Sequence, residues 1–135
     1  MKNYVLDANA LVGYFQNRVG ATKIEQLLLN ASRQKQPLLM SVLNWGEVFY
    51  LIWQREGEER ARQIGTTLAR MSIQLVPIDL PQALKAGELK ARHGIPYVDC
   101  FAAALAMQFE ATLVTSDRDF EKLGRHFPIL WIHRP

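Results

Sequence analysis

The sequence predicts an α/β fold with three α/β/α layers and a mainly parallel central sheet, built as one domain over residues 1–135. Three observations carry this prediction. Short apolar runs alternate with longer stretches of helical periodicity, which is typical of βαβ units. The short runs are apolar on both faces, as a sheet covered by helices on both sides requires. A length of 135 residues fits a single domain.

Five strands are predicted, each from a short apolar run of the β type. The first run stops abruptly at Asp7, and the second follows Pro37. The last run closes the chain. The predicted strands cover residues 4–6, 38–40, 75–78, 112–115 and 129–132.

Seven helices are predicted between and after these strands from the periodicity of apolar residues. Ser41 is the expected N-cap of the third helix. Pro81 suits an early position of the fifth helix, and Gly94 suits its C-terminal end. The predicted helices cover residues 8–17, 21–35, 42–56, 58–72, 81–92, 97–110 and 118–125.

The composition excludes several classes of protein. A hydrophobic fraction of 49% with 21% charged residues excludes disorder and fibrous repeats. A single cysteine, Cys100, excludes an intramolecular disulfide framework and favours a reducing compartment, so we expect a cytoplasmic protein. No apolar run approaches the ~18 residues of a membrane span, and the first residues lack a signal-peptide stretch, so no membrane contact is expected.

Four of the 13 acidic residues stand in apolar surroundings instead of polar helix surfaces. Asp7 ends the first predicted strand, and Asp117 follows the fourth. Glu47 and Asp99 are each the only charge in an apolar helical segment. An ionised carboxylate in such a place is costly unless it is paired or binds a metal.

The predicted topology brings these four carboxylates to one edge of the sheet. Ligands of open α/β sheets bind outside the carboxyl ends of the strands, where Asp7 and Asp117 lie. The helix of Glu47 starts directly after the second strand, and Asp99 lies in the first turn of its helix, where the helix dipole favours negative charge. Four carboxylates in one crevice repel each other, and a divalent cation removes this conflict.

The chemistry of the ligands indicates which metal and which reaction the crevice supports. Oxygen ligands without Cys or paired His select Mg²⁺ or Mn²⁺ over Zn²⁺. Such a site activates water and stabilises the charge on a phosphodiester during in-line attack. Asn9 and Ser116 lie beside the acids in sequence and are expected to position a phosphate or a water molecule.

Each acid also has a simpler interpretation. Asp7 is a candidate N-cap of the helix that follows it, and Glu47 a candidate partner of an arginine in a buried ion pair. Asp99 can satisfy free N–H groups at the start of its helix. Asp119, in preference to Asp117, is the expected cap of the last helix. The joint pattern of the four acids predicts the site, and no single one does.

The remaining reactive residues form no pattern of their own. The histidines His93, His126 and His133 adjoin no second His or Cys at the spacing of metal ligands. Cys100 has no neighbouring base and is expected to be a small buried side chain. A second apolar face of the third helix predicts either deeper core or a dimer interface. Its residues are Trp45, Phe49, Ile52 and Trp53.

Four motifs in this order resemble the PIN domain family, and within it the small VapC-like toxins of bacterial and archaeal toxin–antitoxin pairs. They are Val-Leu-Asp-Ala-Asn at 5–9, the isolated Glu47, Asp99 at the start of a small, apolar helix, and Thr-x-Asp-x-Asp-Phe at 115–120. The resemblance extends from Tyr4 to Trp131.

The resemblance implies an α/β/α ribonuclease that depends on Mg²⁺ or Mn²⁺, acts on RNA, is commonly a homodimer and is neutralised by a cognate antitoxin. By motif, Asp7 and Asp99 would be the main metal ligands. Glu47 and Asp117 would complete the catalytic cluster, with Asp119 close to the last position. Thr115 or Ser116 matches the hydroxyl position that precedes it.

Two other functions compete with a ribonuclease. A PIN-like domain can keep the acidic cluster as a protein-binding site without catalysis. A phosphatase of the haloacid dehalogenase type also has an Asp at the end of its first strand, but it needs a second Asp where this chain has Asn9, which cannot donate a proton in that way.

The net charge of +3 divides into two parts. Without the four clustered acids, 13 − 4 = 9 acids remain against 16 basic residues, which leaves 16 − 9 = +7 on the rest of the chain. A basic surface of this kind suits a phosphate backbone, and its affinity should fall with salt.

Overall fold

The computed structural model describes residues 2–133 and contains a five-stranded sheet in which every neighbouring pair is parallel. The strand order is β3-β2-β1-β4-β5. The predicted α/β class with a parallel central sheet is therefore confirmed. The strands are β1 (Tyr4–Leu6), β2 (Leu38–Ser41), β3 (Ile73–Val76), β4 (Thr112–Thr115) and β5 (Ile129–Trp131).

Six α-helices and one 3-10 helix connect the strands. Ser41 caps α3 by accepting a hydrogen bond from the Leu43 N–H group, as predicted. Pro81 lies in the first turn of α5, and Gly94 ends this helix with a φ of 70°. The helices are α1 (Ala8–Phe15), α2 (Ala21–Gln34), α3 (Val42–Glu56), α4 (Glu58–Leu68), α5 (Leu80–His93) and α6 (Tyr97–Gln108), followed by the 3-10 helix Arg118–Leu123.

The predicted boundaries were wrong in three places. The third strand begins at Ile73, which pairs with Leu38 of β2, and it ends before Pro77, because proline has no N–H group to donate to a neighbouring strand. The fourth helix ends at Leu68, since the chain must turn before β3. The last helical segment is a 3-10 helix of six residues.

Alternate residues of the strands face two separate hydrophobic cores. Val5 and Leu113 pack in the core that also contains residues of α5 and α6. Leu6 and Val114 pack in the core with residues of α1, α2, α3 and α4. This alternation produces the three layers, because successive side chains of a strand point to opposite faces of the sheet.

Helix α4 covers much of the second apolar face of α3. Ile52 is fully buried, and Trp45 and Phe49 are partly buried in the same core. Trp53 remains 38% exposed at the edge, where Arg62 of α4 stacks over its ring. Of the two interpretations of this face, the core interpretation therefore holds for Ile52. Within residues 2–133, no helix combines the length and the apolar character that a bilayer span needs.

The strand order places a topological switch point between β1 and β4. From β1 the chain continues to β2 and β3 on one side, whereas β4 and β5 lie on the other side. Helices on opposite faces therefore diverge at the carboxyl ends of β1 and β4, and they leave the crevice in which ligands of open α/β sheets bind.

Candidate metal centre

Asp7 lies at the carboxyl end of β1 and is only 2% exposed. Its Oδ1 accepts a hydrogen bond from the Ala10 N–H group at 2.8 Å, which caps α1, and its Oδ2 accepts one from the Thr115 hydroxyl at 2.5 Å. Burial raises the pKa of Asp7 to about 7, against these two hydrogen bonds, which lower it. The charges of Asp99 and Asp117 raise it further.

Three more carboxylates meet next to Asp7. Asp99, Asp117 and Asp119 each offer an oxygen atom within 4.8 Å of the others. Asp99 lies in the first turn of α6. Burial raises the pKa of Asp99 to about 7, and the charges of Asp117, Glu47 and Asp119 raise it too. The neighbouring carboxylates thus disfavour the charged form of Asp99, as expected for a site that is completed by a cation.

The cap of the 3-10 helix is Asp117, so the assignment of this role to Asp119 was wrong. The Asp117 side chain accepts a hydrogen bond from the Asp119 N–H group at 2.9 Å. The Asp117 backbone N–H group in turn donates to the Thr115 hydroxyl oxygen at 2.9 Å. Thr115 thus connects Asp7 to the loop of Asp117, and it fixes the ends of β1 and β4 relative to each other.

Glu47 lies in the second turn of α3 and has an unusual environment. Its Oε1 atom is buried and has no hydrogen-bond partner, and no ion pair within residues 2–133 involves it. The interpretation of Glu47 as the partner of an arginine therefore has no support. Burial raises the pKa of Glu47, the Asn44 side chain lowers it, and the charge of Asp117 raises it.

Two polar residues line the rim of the crevice. The Ser116 hydroxyl donates a hydrogen bond to the Asn9 side-chain oxygen. Asn9 is exposed and Ser116 is half-buried, so both side chains are accessible beside the buried Asp7 and the half-buried acids around it. Asn9 carries an amide, which cannot act as a general acid, so the phosphatase alternative gains no support from the structure.

The structure brings the four predicted acids into one crevice and adds a fifth residue to them. The charges of Asp99 and Asp117 act on Asp7, and that of Glu47 acts on Asp99. The resemblance left Asp119 close to the last acidic position, and the structure brings Asp119 into the cluster together with Asp117. The sequence feature that brings both residues into the cluster is the Asp-x-Asp spacing of Asp117 and Asp119 at the start of the 3-10 helix.

The residues present fit a hard divalent cation. The cluster contains oxygen donors alone, and the buried Glu47 Oε1 atom has no partner from the protein. Cys100 lies elsewhere, buried, with its thiol donating to the Ile95 carbonyl at 3.6 Å. Oxygen ligands of this kind suit Mg²⁺ or Mn²⁺.

The fold and the site define an α/β/α domain with a carboxylate centre at the switch point of a parallel sheet. The family model of the PIN domain, compared with the sequence, matches residues 4–126. The chain therefore belongs to the PIN domain family, as the sequence motifs predicted.

The proteins to which this chain is similar include VapC and VapBC proteins. Ribonuclease VapC of Mycolicibacterium smegmatis is 33% identical over 109 residues, which cover 76% of this chain and 81% of the relative. DNA-bound VapBC from Salmonella typhimurium has the same fold, with a TM-score of 0.73 and 21% identity over 98% of this chain and 100% of that chain. Mycobacterium tuberculosis VapC20, a sarcin–ricin loop-cleaving toxin, has a TM-score of 0.66 and 16% identity over 90% and 95% of the two chains.

Proposed function

We propose that this protein is a divalent-metal-dependent endoribonuclease, the toxin of a toxin–antitoxin pair, which hydrolyses RNA phosphodiester bonds in the cytoplasm. One observation carries the proposal. Carboxylates converge at the switch point, and within residues 2–133 no lysine or arginine forms an ion pair with them. The similarity to Ribonuclease VapC supports the same reaction.

In this proposal, Asp7 and Asp99 are the main ligands of Mg²⁺ or Mn²⁺, and Glu47 and Asp117 complete the catalytic cluster. The bound cation would activate a water molecule and stabilise the negative charge that develops on the phosphodiester. Thr115 holds Asp7 in one rotamer by donating to its Oδ2 atom. A fixed Asp7 is needed because small displacements of ligands are costly at a site that prefers octahedral geometry.

The substrate is proposed to be single-stranded or looped RNA, because a splayed backbone can enter a crevice between two helical layers. Asn9 and Ser116 at the rim would bind a phosphate oxygen or a water molecule near the reacting bond. The basic residues outside the cluster would attract the rest of the backbone, so binding should weaken steeply as the salt concentration rises.

Cleavage of total RNA by the wild type, Asp7→Asn and Asp99→Asn tests this proposal. We expect Mg²⁺- or Mn²⁺-dependent cleavage by the wild type and a loss of at least about 100-fold in each variant, since removal of electrostatic stabilisation of a transition state costs about that much. Glu25→Gln is the matched control, because Glu25 is an exposed acid on α2. Metal-dependent cleavage that persists in both aspartate variants would contradict the proposal.

The partners are proposed to be a cognate antitoxin and a second copy of this chain. Solved structures with the same fold include VapBC from Salmonella typhimurium, which supports an antitoxin partner. Co-expression with the product of an adjacent small gene should yield a stable complex in which cleavage of RNA is blocked. Light scattering of the purified protein measures the homodimer, and a monomer at all concentrations would contradict that part.

A further inference from the structure

A cleft of about 300 Å³ is lined in part by Asn9 and Ser116, the polar residues at the rim of the carboxylate crevice. It is enclosed by α1, by the loop of residues 16–20, by the start of α2 and by the residues that follow β5. Asn9 and Ser116 line this cleft, and the Ser116 hydroxyl and the Asn9 amide are hydrogen-bonded to each other. The other lining residues include five that are small or apolar, namely Ala10, Gly13, Val19, Ala21 and Ile132.

The loop that forms one wall is fixed in place by its backbone. Gly20 has a φ of 100°, and a Cβ atom there would lie 2.8 Å from the Ile132 carbonyl oxygen, so only glycine permits this approach. The Arg18 N–H group donates to the Gly13 carbonyl at 2.8 Å. Lys23 donates to the Trp131 carbonyl at 3.2 Å. The cleft is therefore a preformed feature of the fold.

Two side chains with nitrogen donors, those of Arg18 and His133, line this cleft. Arg18 is exposed, and among residues 2–133 its guanidinium forms no hydrogen bond or ion pair with another side chain. His133 is also exposed and lines the cleft. Because Arg18 has no partner among these residues, its guanidinium is available for an anionic group of a ligand that occupies the cleft.

We propose that this cleft binds the nucleotide adjacent to the phosphate that is cleaved. The base would lie on the apolar floor formed around Gly13 and Ala21, and the Arg18 guanidinium would stack on the base or pair with its phosphate. A volume of about 300 Å³ is at the lower limit of small-molecule sites, which cover roughly 300–1,000 Å³, so it suits one nucleotide. This inference rests on the proposed ribonuclease function, and it names the substrate contact that would give the enzyme its sequence preference.

RNA explains these features better than a protein segment does. Single-stranded RNA presents a planar apolar base next to a negative phosphate, and proteins bind such units by stacking and by arginine contacts. The cleft offers this combination in one place, because its lining includes both apolar residues and Arg18. The cleft adjoins the carboxylates through two of its lining residues, because Asn9 lies two residues after Asp7 and Ser116 directly precedes Asp117.

Two substitutions alter the cleft without touching the acids. Arg18→Ala removes the free cation. Gly13→Leu fills the floor, and this position is open, because a Cβ atom there would meet only the Arg18 Cβ atom at 3.9 Å. Arg33→Ala is the control for the first, since Arg33 is an exposed arginine of α2. Gly87→Leu is the control for the second, since Gly87 is also a helix-interior glycine with nothing within 4 Å.

The experiment measures binding and cleavage separately with one probe, a fluorescent 12-nucleotide single-stranded RNA of randomised sequence. Binding is measured by anisotropy in the Asp7→Asn background, and cleavage by sequencing the products of otherwise wild-type protein. We expect Arg18→Ala and Gly13→Leu to weaken binding about tenfold, in the range of one lost base contact. They should raise KM more than they lower kcat and remove the base preference at one position next to the cut. Both controls should stay within about twofold of their parents.

Three results would overturn the inference or the function on which it rests. Unchanged KM and base preference in both cleft variants would refute the cleft, while the ribonuclease function would stand. Weakened binding of an antitoxin with unchanged binding of RNA would make the cleft a protein-docking site instead. If the wild type cleaves no RNA, and Arg18→Ala weakens the binding of RNA, the ribonuclease function is refuted and the cleft is supported as an RNA site.

Discussion

Substitution of Asp7 by Asn should change the pH dependence of folding stability of the metal-free protein in a defined direction. Burial raises the pKa of Asp7 from 3.8 to about 7 in the native state. At pH values between 3.8 and about 7, the Asp7 carboxyl holds a proton in the native state, whereas in the unfolded chain it has already lost it. The free energy of unfolding of the wild type therefore falls as the pH rises through this window.

The size of the effect follows from the width of the window. Between pH 5 and pH 8 the unfolded carboxyl is ionised throughout, whereas the native carboxyl releases its proton near pH 7. At about 1.36 kcal/mol per pH unit, the wild type loses about 2–3 kcal/mol over this range because of Asp7. Asn cannot titrate, and its amide oxygen still caps α1, because Asn and Asp are equally good N-caps.

The substitution also has a cost that does not depend on pH. The Thr115 hydroxyl donates to Asp7 Oδ2 at 2.5 Å, and it loses this acceptor when an amide NH₂ group occupies the site. A buried donor without a partner costs about 1–3 kcal/mol. Asn is therefore expected to be destabilising at pH 5, and the difference from the wild type should shrink or reverse by pH 8.

Urea denaturation in EDTA at pH 5, 6, 7 and 8, followed by tryptophan fluorescence, measures this effect. The exposed Glu25→Gln variant is the control and should parallel the wild type. With Mg²⁺ present at pH 8, the wild type should regain stability and Asp7→Asn should not, because a ligand that binds only the native state stabilises it. A constant difference between wild type and Asp7→Asn at all four pH values would refute the reasoning.

Three further predictions follow from the same geometry. The affinity for Mg²⁺ or Mn²⁺, measured by calorimetry, should rise at least about tenfold from pH 6 to pH 8, because the buried carboxyls must lose their protons before they bind a cation; equal affinities would contradict this. Thr115→Val removes the hydrogen bond that lowers the pKa of Asp7, so it should raise this pKa further and move the pH profile of cleavage to higher pH. Thr115→Ser keeps the hydroxyl and should retain the wild-type pH profile. Gly20→Ala should destabilise the protein by at least about 1 kcal/mol, because Gly20 has a φ of 100° and the Ile132 carbonyl leaves no room for a Cβ atom. Gly87→Ala lies at an open helix position and should stabilise the protein by up to about 1 kcal/mol in the same urea assay.

The sequence was sufficient for the fold class because short apolar runs alternate in it with longer helical patterns, but it did not predict the strand order. Runs such as Tyr4–Leu6 and Thr112–Thr115 are apolar on both faces, and the structure buries them between two helical layers. The third strand was misplaced by two residues, because the apolar run 75–78 continues past Pro77. The pairing that decides its register, Ile73 with Leu38, is a contact between distant segments that local periodicity does not contain.

The convergence of the acids could be predicted because it depends on topology alone. Asp7 and Asp117 follow parallel strands, and the carboxyl ends of such strands share one edge. The choice between Asp117 and Asp119 as the helix cap could not be predicted in the same way. Both residues can accept the same type of N–H group, and the outcome depends on the extended backbone of Asp117, with φ of −81° and ψ of 115°.

Helix capping and metal binding are compatible roles for the same carboxylate. An ionised carboxylate offers about four lone-pair sites, and Asp7 uses two of them for the Ala10 N–H group and the Thr115 hydroxyl. Those two bonds hold the side chain in one orientation and leave lone pairs on both oxygens for a cation. Asp117 is held in the same way by the Asp119 N–H group. In the proposed metal site, these capping bonds would orient the ligands in advance. They do not cancel the cost of burying the charge of Asp7, whose pKa stays at about 7 in spite of them, and the proposed cation would offset that cost.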